Sequence, residues 1–144
     1  MQMNSPVPLA PGRQVGAQPH CLLIVEDEQS LLRAFAVAFE RIGYEVLTAS
    51  DVPSALEQWQ ARRDDIALIV SDVQMPGPAI EVLIAEVKLR EPEVGILLMS
   101  GDLRGSERRI ADLMSSVDGF VPKPLRIQTL RVEVERLLGI LPAR

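Results

Sequence analysis

Short apolar runs alternate with amphipathic stretches along most of the chain. Five runs have the length and composition of strands, and each is followed by a segment whose apolar residues recur at helical spacing. The runs are CLLIV, YEVLTA, IALIVS, GILLMS and GFVPK. Strict alternation of five strands with five helices predicts an α/β fold, a doubly wound parallel sheet with right-handed crossovers.

The helical segments are defined by apolar residues three and four positions apart. They carry Leu31, Leu32, Phe35, Phe39 and Ile42, then Ala55, Leu56 and Trp59, then Ile80, Leu83, Ile84 and Val87, then Ile110, Leu113 and Met114, then Ile127, Leu130, Val134, Leu137 and Leu141. Gly43 is placed to end the first helix, because glycine readily adopts the left-handed conformation of helix C-termini. Ser50 or Asp51 can cap the second helix.

The polarity of the strands predicts their order in the sheet. The first, third and fourth runs are the most uniformly apolar, as expected of central strands covered on both faces. Glu45 and Thr48 make the second run more polar, and Pro122 in the fifth would interrupt a central ladder. The expected order is therefore 2-1-3-4-5, the flavodoxin-like arrangement.

Residues 1–20 differ from the rest of the chain. This segment is rich in proline and has no periodic apolar face, so we expect a flexible tail or linker. A short peptide that docks on a partner is the alternative. Residues 21–141 are expected to form one domain, large enough in a chain of 144 residues to bury a core without disulfides.

Composition narrows the class of protein. Apolar residues make up 47% of the chain but include only three Phe, one Trp and one Tyr, so the core must be aliphatic. A net charge of -5 argues against direct nucleic-acid binding. No apolar run approaches the ~20 residues that membrane insertion requires. A single cysteine and the lack of a signal-peptide pattern lead us to expect a cytoplasmic protein.

Candidate chemistry lies at the carboxyl ends of the strands, where sheets of this kind bind ligands. The residues there are Glu26, Asp27 and Glu28, then Asp72, then Ser100, then Lys123. Asp27 and Asp72 would face each other where the strand order reverses. Converging carboxylates repel unless a cation joins them, and oxygen donors favour Mg²⁺. The single His20 and Cys21 cannot form a zinc site.

Each of these residues also has an ordinary structural explanation. Acids after a strand often cap the next helix, and Glu28 fits that role better than a metal site. A serine at a strand end is usually part of a turn, and a lysine is usually solvated. The joint occurrence of acids, a hydroxyl and a cation at four strand ends favours a functional site.

Four segments closely resemble the receiver domain of two-component response regulators. They are LLIVEDE, LIVSDVQMPG, LLMSGD and GFVPKPL, in receiver order and spacing between Cys21 and Leu141. The resemblance implies that Asp72 is the phosphoacceptor. It implies that Asp27 binds Mg²⁺ directly, that Glu26 does so through water, and that the backbone carbonyl of Gln74 is a further ligand.

The resemblance also assigns roles around the acids. Ser100 would donate a hydrogen bond to one phosphoryl oxygen, and Lys123 would pair with another. Phe120 matches the aromatic residue that turns inward on activation, and without a hydroxyl it should favour the inward position even before phosphorylation. Gln74 and Asp102 occupy the variable positions that tune phosphoryl lifetime. The Lys123 to Pro124 peptide bond matches one that is usually cis.

The resemblance implies a signalling domain rather than an enzyme, limited to self-phosphorylation and slow autodephosphorylation. The expected partner is a histidine kinase or a histidine phosphotransfer protein, and a homodimer through helix four, strand five and helix five is possible. We expect no output domain after helix five, so that the chain is a stand-alone receiver or the receiver of a hybrid histidine kinase or multidomain regulator.

Two other classes of function remain open. A receiver-fold adaptor that works without phosphorylation usually loses an acid, the acceptor or the lysine, and this chain keeps all of them. A phosphatase of the haloacid dehalogenase type also forms an aspartyl phosphate, but it needs an acid two residues after the nucleophile. That position holds Gln74.

Overall fold

The computed structural model describes residues 20–102 and 104–140. Five strands and five helices alternate along them, as predicted. They are β1 Cys21–Val25, α1 Gln29–Ile42, β2 Glu45–Ala49, α2 Val52–Arg62, β3 Ile66–Asp72, α3 Ile80–Arg90, β4 Gly95–Ser100, α4 Glu107–Ser116, β5 Gly119–Pro122 and α5 Ile127–Leu137. The expected tail, apart from His20, lies outside the described residues, and the expected boundary at Leu141 does too.

The strands form one parallel sheet in the order β2-β1-β3-β4-β5, which confirms the predicted order. Edge strand β2 exposes Glu45 and Thr48, whereas β1 is buried along its whole length. The strand ends are in register: Val25 lies opposite Ser71, and Ser100 lies opposite Pro122. The residues that end or follow these strands therefore meet at one edge of the sheet, the carboxyl edge.

Helices cover both faces of the sheet. Alternate residues of β1 point to opposite faces, so Leu23 packs in the layer beneath α2, α3 and α4, and Leu22 packs beneath α1 and α5. The largest buried side chains are Trp59 in the first layer and Phe39 in the second. Most of the remaining core is aliphatic, which confirms the inference from composition.

The ends of the first two helices follow the expected chemistry. Gly43 ends α1 in the left-handed conformation with φ 115°, and its N–H donates to the Glu40 carbonyl. Asp51, rather than Ser50, caps α2: its Oδ1 accepts a hydrogen bond of 2.8 Å from the Ser54 N–H, and the Ser54 hydroxyl accepts from the Asp51 N–H.

Two sequence predictions were wrong in detail. Met114 was assigned to the apolar face of α4 but is 51% exposed, because Ile110 and Leu113 alone contact the core from that helix. Helix α5 was expected to end near Leu141 but ends at Leu137. Gly139 follows with φ 77°, a left-handed conformation that terminates helices.

Candidate functional site

The polypeptide leaves β1 with a buried acid. Glu26 is 1% exposed, and its backbone N–H continues the pairing with β2 by donating to the Ala49 carbonyl. Its Oε2 accepts a hydrogen bond from the Glu28 N–H at 3.1 Å, and its Oε1 accepts one from Lys123 Nζ at 2.7 Å. A buried carboxylate needs such partners, because an unpaired charge in the interior is costly.

Asp72 ends β3 beside the same lysine. Its side chain is buried, its Oδ1 accepts a hydrogen bond from the Gln74 N–H at 3.1 Å, and its Oδ2 lies 3.3 Å from Lys123 Nζ. Lys123 follows β5, so its ammonium group links the carboxyl end of β5 to those of β1 and β3. The predicted convergence of these side chains is therefore present in the fold.

Burial affects Glu26 and Lys123 differently. Desolvation raises the pKa of Glu26, although the hydrogen bonds from Lys123 and Glu28 act in the opposite direction. Desolvation also lowers the pKa of Lys123, but the hydrogen bond to Glu26 and the charge of Asp72 outweigh it, so the net shift is upward. The Lys123 side chain is 21% exposed and that of Glu26 only 1%, which explains why burial dominates for the acid alone.

Three carboxylates could hold a metal ion. Ligand oxygens of Glu26, Asp27 and Asp72 lie within 4.8 Å of one another, and Asp27 is the exposed member. Lys123 supplies one positive charge against three negative charges, so the acids are not neutralised by the protein alone. A set of oxygen donors with excess negative charge fits a hard divalent cation such as Mg²⁺. The Gln74 carbonyl belongs to the same loop, directly after Asp72 and Val73.

Ser100 lies at the end of β4 and is fully buried. Its Oγ has no hydrogen-bond partner among the described residues. Its backbone carbonyl accepts a hydrogen bond of 2.7 Å from the Lys123 N–H, which fixes β4 against the loop that carries the lysine. Buried hydroxyls are normally paired, so this group is suited to bind an oxygen of a ligand.

Asp102 lies in the loop between β4 and α4, and the Gln74 side chain contacts that loop. The Gln74 amide bonds to the backbone of Gly101 and Asp102. The Asp102 carboxylate accepts hydrogen bonds from the Arg104 backbone N–H at 3.0 Å and from its Nη2 at 2.8 Å. Sequence reasoning placed both residues beside the site but did not anticipate these partners.

Phe120 lies in β5, an edge strand of the sheet, and the Lys123 to Pro124 peptide bond directly follows that strand. Phe120 is partly buried and packs against the core layer beneath α2, α3 and α4. The expected preference of Phe120 for the inward position before phosphorylation stays a prediction. The Lys123 to Pro124 peptide bond is cis, as expected. Glu28 is the N-cap residue of α1, but its carboxylate accepts from the Ser30 hydroxyl rather than from a helix N–H.

Sequence reasoning missed a groove beside the acids. Its volume is about 570 Å³, and it runs between the start of α1 and the loops that follow β4 and β5. The lining residues are Glu28, Leu31, Phe35, Gly101, Asp102, Lys123, Pro124 and Leu125. Leu31 was interpreted as a core residue from its helical spacing, but it is only partly buried and forms one wall.

These features define a class of protein: a doubly wound α/β domain with an acidic, lysine-paired site where the strand order reverses. Comparison with known proteins identifies the family. The model of the response regulator receiver domain matches residues 22–135. The chain belongs to this family.

Individual relatives agree with that assignment. The chain is 29% identical over 127 residues to the probable transcriptional regulatory protein TcrX of Mycobacterium tuberculosis, which covers 88% of this chain and 53% of TcrX. It is 31% identical over 118 residues to the alkaline phosphatase synthesis transcriptional regulatory protein PhoP of Bacillus subtilis, which covers 81% of this chain and 48% of PhoP. The chain thus spans about half the length of these relatives.

Solved structures share the fold. A response regulator receiver domain protein from Clostridium thermocellum aligns with a TM-score of 0.74 at 22% identity, over 83% of this chain and 94% of that protein. The receiver domain of the hybrid histidine kinase CckA aligns with a TM-score of 0.68 at 28% identity, over 82% and 98%. Within the described ranges, no helix combines the length and the apolar character needed to cross a membrane.

Proposed function

We propose that the chain accepts a phosphoryl group on Asp72 and acts as the receiver of a two-component phosphorelay. One observation carries the proposal: Lys123 Nζ lies between Glu26 and Asp72, at 2.7 and 3.3 Å, beside the exposed carboxylate of Asp27. A single ammonium bridging two buried acids at a strand-order reversal supports phosphoryl chemistry better than a purely structural role.

Asp72 is the nucleophile of the proposed reaction. One of its carboxylate oxygens attacks phosphorus, the P–N bond of a phosphohistidine breaks, and the imidazole nitrogen leaves with the bonding electrons. Lys123, already 3.3 Å from Asp72, pairs with an oxygen of the transferred group, and the buried Ser100 hydroxyl donates to another. Water later hydrolyses the acyl phosphate and restores the carboxylate.

Glu26, Asp27 and Asp72, with the Gln74 carbonyl, are the residues proposed to hold Mg²⁺. Bound there, the ion would neutralise charge on the transferring phosphoryl group. The chain's own contribution is to position the acceptor: the Gln74 N–H orients Asp72 Oδ1, and the Glu28 N–H and Lys123 hold Glu26 in place.

The partner in this proposal is a histidine kinase or a histidine phosphotransfer protein, in a cytoplasmic setting. The groove bordered by Leu31, Phe35 and Leu125 reaches Lys123 and gives such a partner an apolar surface beside the acceptor. Phosphorylation would draw Ser100 toward the new oxygens and let Phe120 move further inward. That change would alter the surface of α4, β5 and α5, through which a homodimer could form.

The test is to incubate the protein with Mg²⁺ and acetyl phosphate and to measure the intact mass. We expect one added phosphoryl group that is released by base, with acetate as the leaving group. Asp72→Asn should show no adduct, and the matched control Asp64→Asn, which alters an exposed acid, should be modified like the wild type. An unmodified wild type, or an Asp72→Asn variant that is still modified, would falsify the proposal.

A further inference from the structure

We propose that the Gln74 side chain is a positioning group that ties the loop after β3 to the loop after β4 and thereby holds Ser100 in place. The inference rests on the proposed function, because it concerns the hydroxyl that would meet the phosphoryl group. It assigns to Gln74 a mechanical role through Ser100, distinct from any direct contact with the phosphoryl group or with water.

Two hydrogen bonds form the tether. Gln74 Oε1 accepts from the Gly101 N–H at 3.2 Å, and Gln74 Nε2 donates to the Asp102 carbonyl at 2.6 Å. Both partners are backbone groups, in the two residues that directly follow Ser100. A side-chain amide donates from its nitrogen and accepts at its oxygen, and Gln74 uses both functions on one loop.

Ser100 is thereby held from two sides. Its own carbonyl accepts a hydrogen bond of 2.7 Å from the Lys123 N–H, and the next peptide N–H, that of Gly101, donates to Gln74. The first contact comes from the loop after β5 and the second from the loop after β3. Meanwhile the Ser100 Oγ has no partner among the residues that the structure describes, so its position depends on its backbone.

The backbone of Gln74 contacts the proposed acceptor. Its N–H donates to Asp72 Oδ1 at 3.1 Å, while its side chain reaches the β4 loop. One residue therefore links the acceptor carboxylate to the loop that directly follows Ser100. Preorganisation of this kind accelerates a reaction by reducing the motion needed to reach the transition state.

Three substitutions separate the tether from other roles of Gln74. Gln74→Met keeps the length of the side chain and removes both hydrogen bonds. Gln74→Asn keeps the amide but shortens the side chain by one methylene, so that it no longer spans both loops. Gln74→Glu keeps the acceptor for the Gly101 N–H and loses the donor to Asp102. A tether predicts that Asn behaves like Met, whereas direct amide chemistry predicts that Asn behaves like Gln.

The first measurement is amide hydrogen exchange of Gly101 by NMR in the unphosphorylated full chain. We expect exchange to be faster in both Gln74→Met and Gln74→Asn by about two- to ten-fold, the range for one net hydrogen bond. Gln74→Glu should retain most of the protection. Gln128→Met, a change at an exposed residue of α5, is the control and should leave Gly101 unchanged. Unchanged exchange in Gln74→Met overturns the proposal.

The second measurement is the rate of phosphorylation by acetyl phosphate. Gln74→Met and Gln74→Asn should both lower the rate by about two- to ten-fold in the wild-type background. In a Ser100→Ala background they should have no further effect, because the residue that they position is absent. An equal loss in both backgrounds would show that Gln74 acts independently of Ser100 and would overturn the inference.

The two measurements separate the inference from the proposed function. If the wild type takes no phosphoryl group, the proposed function fails, yet the exchange of Gly101 still decides whether the tether exists. If Asp72 is phosphorylated and Gly101 exchange is insensitive to Gln74→Met, the tether alone fails. The exchange measurement can also be made in Asp72→Asn protein, where phosphorylation cannot interfere.

Discussion

The two ends of β1 hold buried ionisable side chains in opposite ways. Cys21 begins the strand and is 2% exposed, and Glu26 follows its last residue and is 1% exposed. For both groups the main cause of a raised pKa is desolvation by burial. Desolvation therefore disfavours the charged form of the side chain at both ends of β1.

The surroundings of Cys21 and Glu26 accommodate this desolvation in different ways. Cys21 stays neutral: burial, reinforced by the nearby charge of Glu45, raises the pKa of its thiol to about 11. Glu26 instead accepts hydrogen bonds from Lys123 and from the Glu28 N–H. At the amino edge the buried group stays neutral and the charged side chains near it, such as Glu45 and Arg62, are partly or fully exposed, whereas the carboxyl edge buries carboxylates that depend on a counter-charge. That difference distinguishes the amino edge from the edge that carries the proposed site.

The largest effect should come from removing the cation of the carboxyl edge. Lys123→Met leaves Glu26 buried without its ammonium partner, and we expect the free energy of unfolding to fall by about 3 kcal/mol. The measurement is urea denaturation of the metal-free protein near neutral pH. Combining Lys123→Met with Glu26→Gln should recover part of the loss, because only Asp72 then remains as a buried carboxylate without its ammonium partner.

Lys88→Met is the matched control. Lys88 pairs with Asp118 at 3.2 Å, but both side chains are about a third or more exposed to solvent. Exposed pairs contribute little, so this substitution should cost less than about 1 kcal/mol. Equal losses for Lys88→Met and Lys123→Met would contradict the proposed difference between an exposed pair and the carboxyl edge.

At the amino edge the prediction concerns pH. The pKa of Cys21 rises from 9.0 to about 11 in the folded state, so the folded protein holds the thiol proton more tightly than the unfolded chain. The stabilisation is fully present below about pH 9 and is lost as the pH rises toward 11. By about pH 10.5 the loss should reach about 2 kcal/mol.

Urea denaturation of wild type and Cys21→Ala across this pH range measures that loss. Because lysine and tyrosine also titrate there, the relevant quantity is the difference in slope between the two proteins, not the stability of either. Up to about pH 10.5, the free energy of unfolding of Cys21→Ala should fall by about 2 kcal/mol less than that of the wild type. Parallel curves would show that the thiol titrates alike in the folded and the unfolded state.

The architecture could be predicted because it depends on features local in sequence. Uniformly apolar runs such as β1 suit the centre of a sheet and Pro122 suits an edge, so among doubly wound folds the polarity of the strands favoured the order 2-1-3-4-5. Parallel connectivity then brought Asp72 and Lys123 to the same edge without any knowledge of side-chain conformation.

Partner choice at the site could not be predicted in this way. From the sequence we expected Lys123 to pair with a phosphoryl oxygen, but not that its Nζ lies 2.7 Å from Glu26 Oε1. Nor did the sequence suggest that Gln74 reaches across to Gly101. Such contacts depend on rotamers and loop paths, which no periodicity encodes. The assignment of Met114 to the buried face of α4 was wrong for a related reason. Helical spacing defines which face of a helix is apolar, but the width of the core layer beneath it decides which residues of that face are buried.

The smallest expected effect comes from supplying Mg²⁺ to the carboxyl edge. An ion bound only by the folded state, at ten times its dissociation constant, stabilises by about 1.4 kcal/mol. Thermal or urea unfolding in MgCl₂, compared with NaCl of equal ionic strength, measures this gain. Asp27→Asn removes the exposed carboxylate of the group and should abolish most of it.

Asp64→Asn, a matched change at an exposed acid far along the chain, should keep the full gain. A gain retained by Asp27→Asn, or lost equally in Asp64→Asn, would show that Mg²⁺ acts through general screening of a negatively charged surface. Loss in Asp27→Asn alone would instead locate the effect where Glu26 and Asp72 converge. The excess charge of the carboxyl edge would then be a requirement for the ion rather than a defect of the fold.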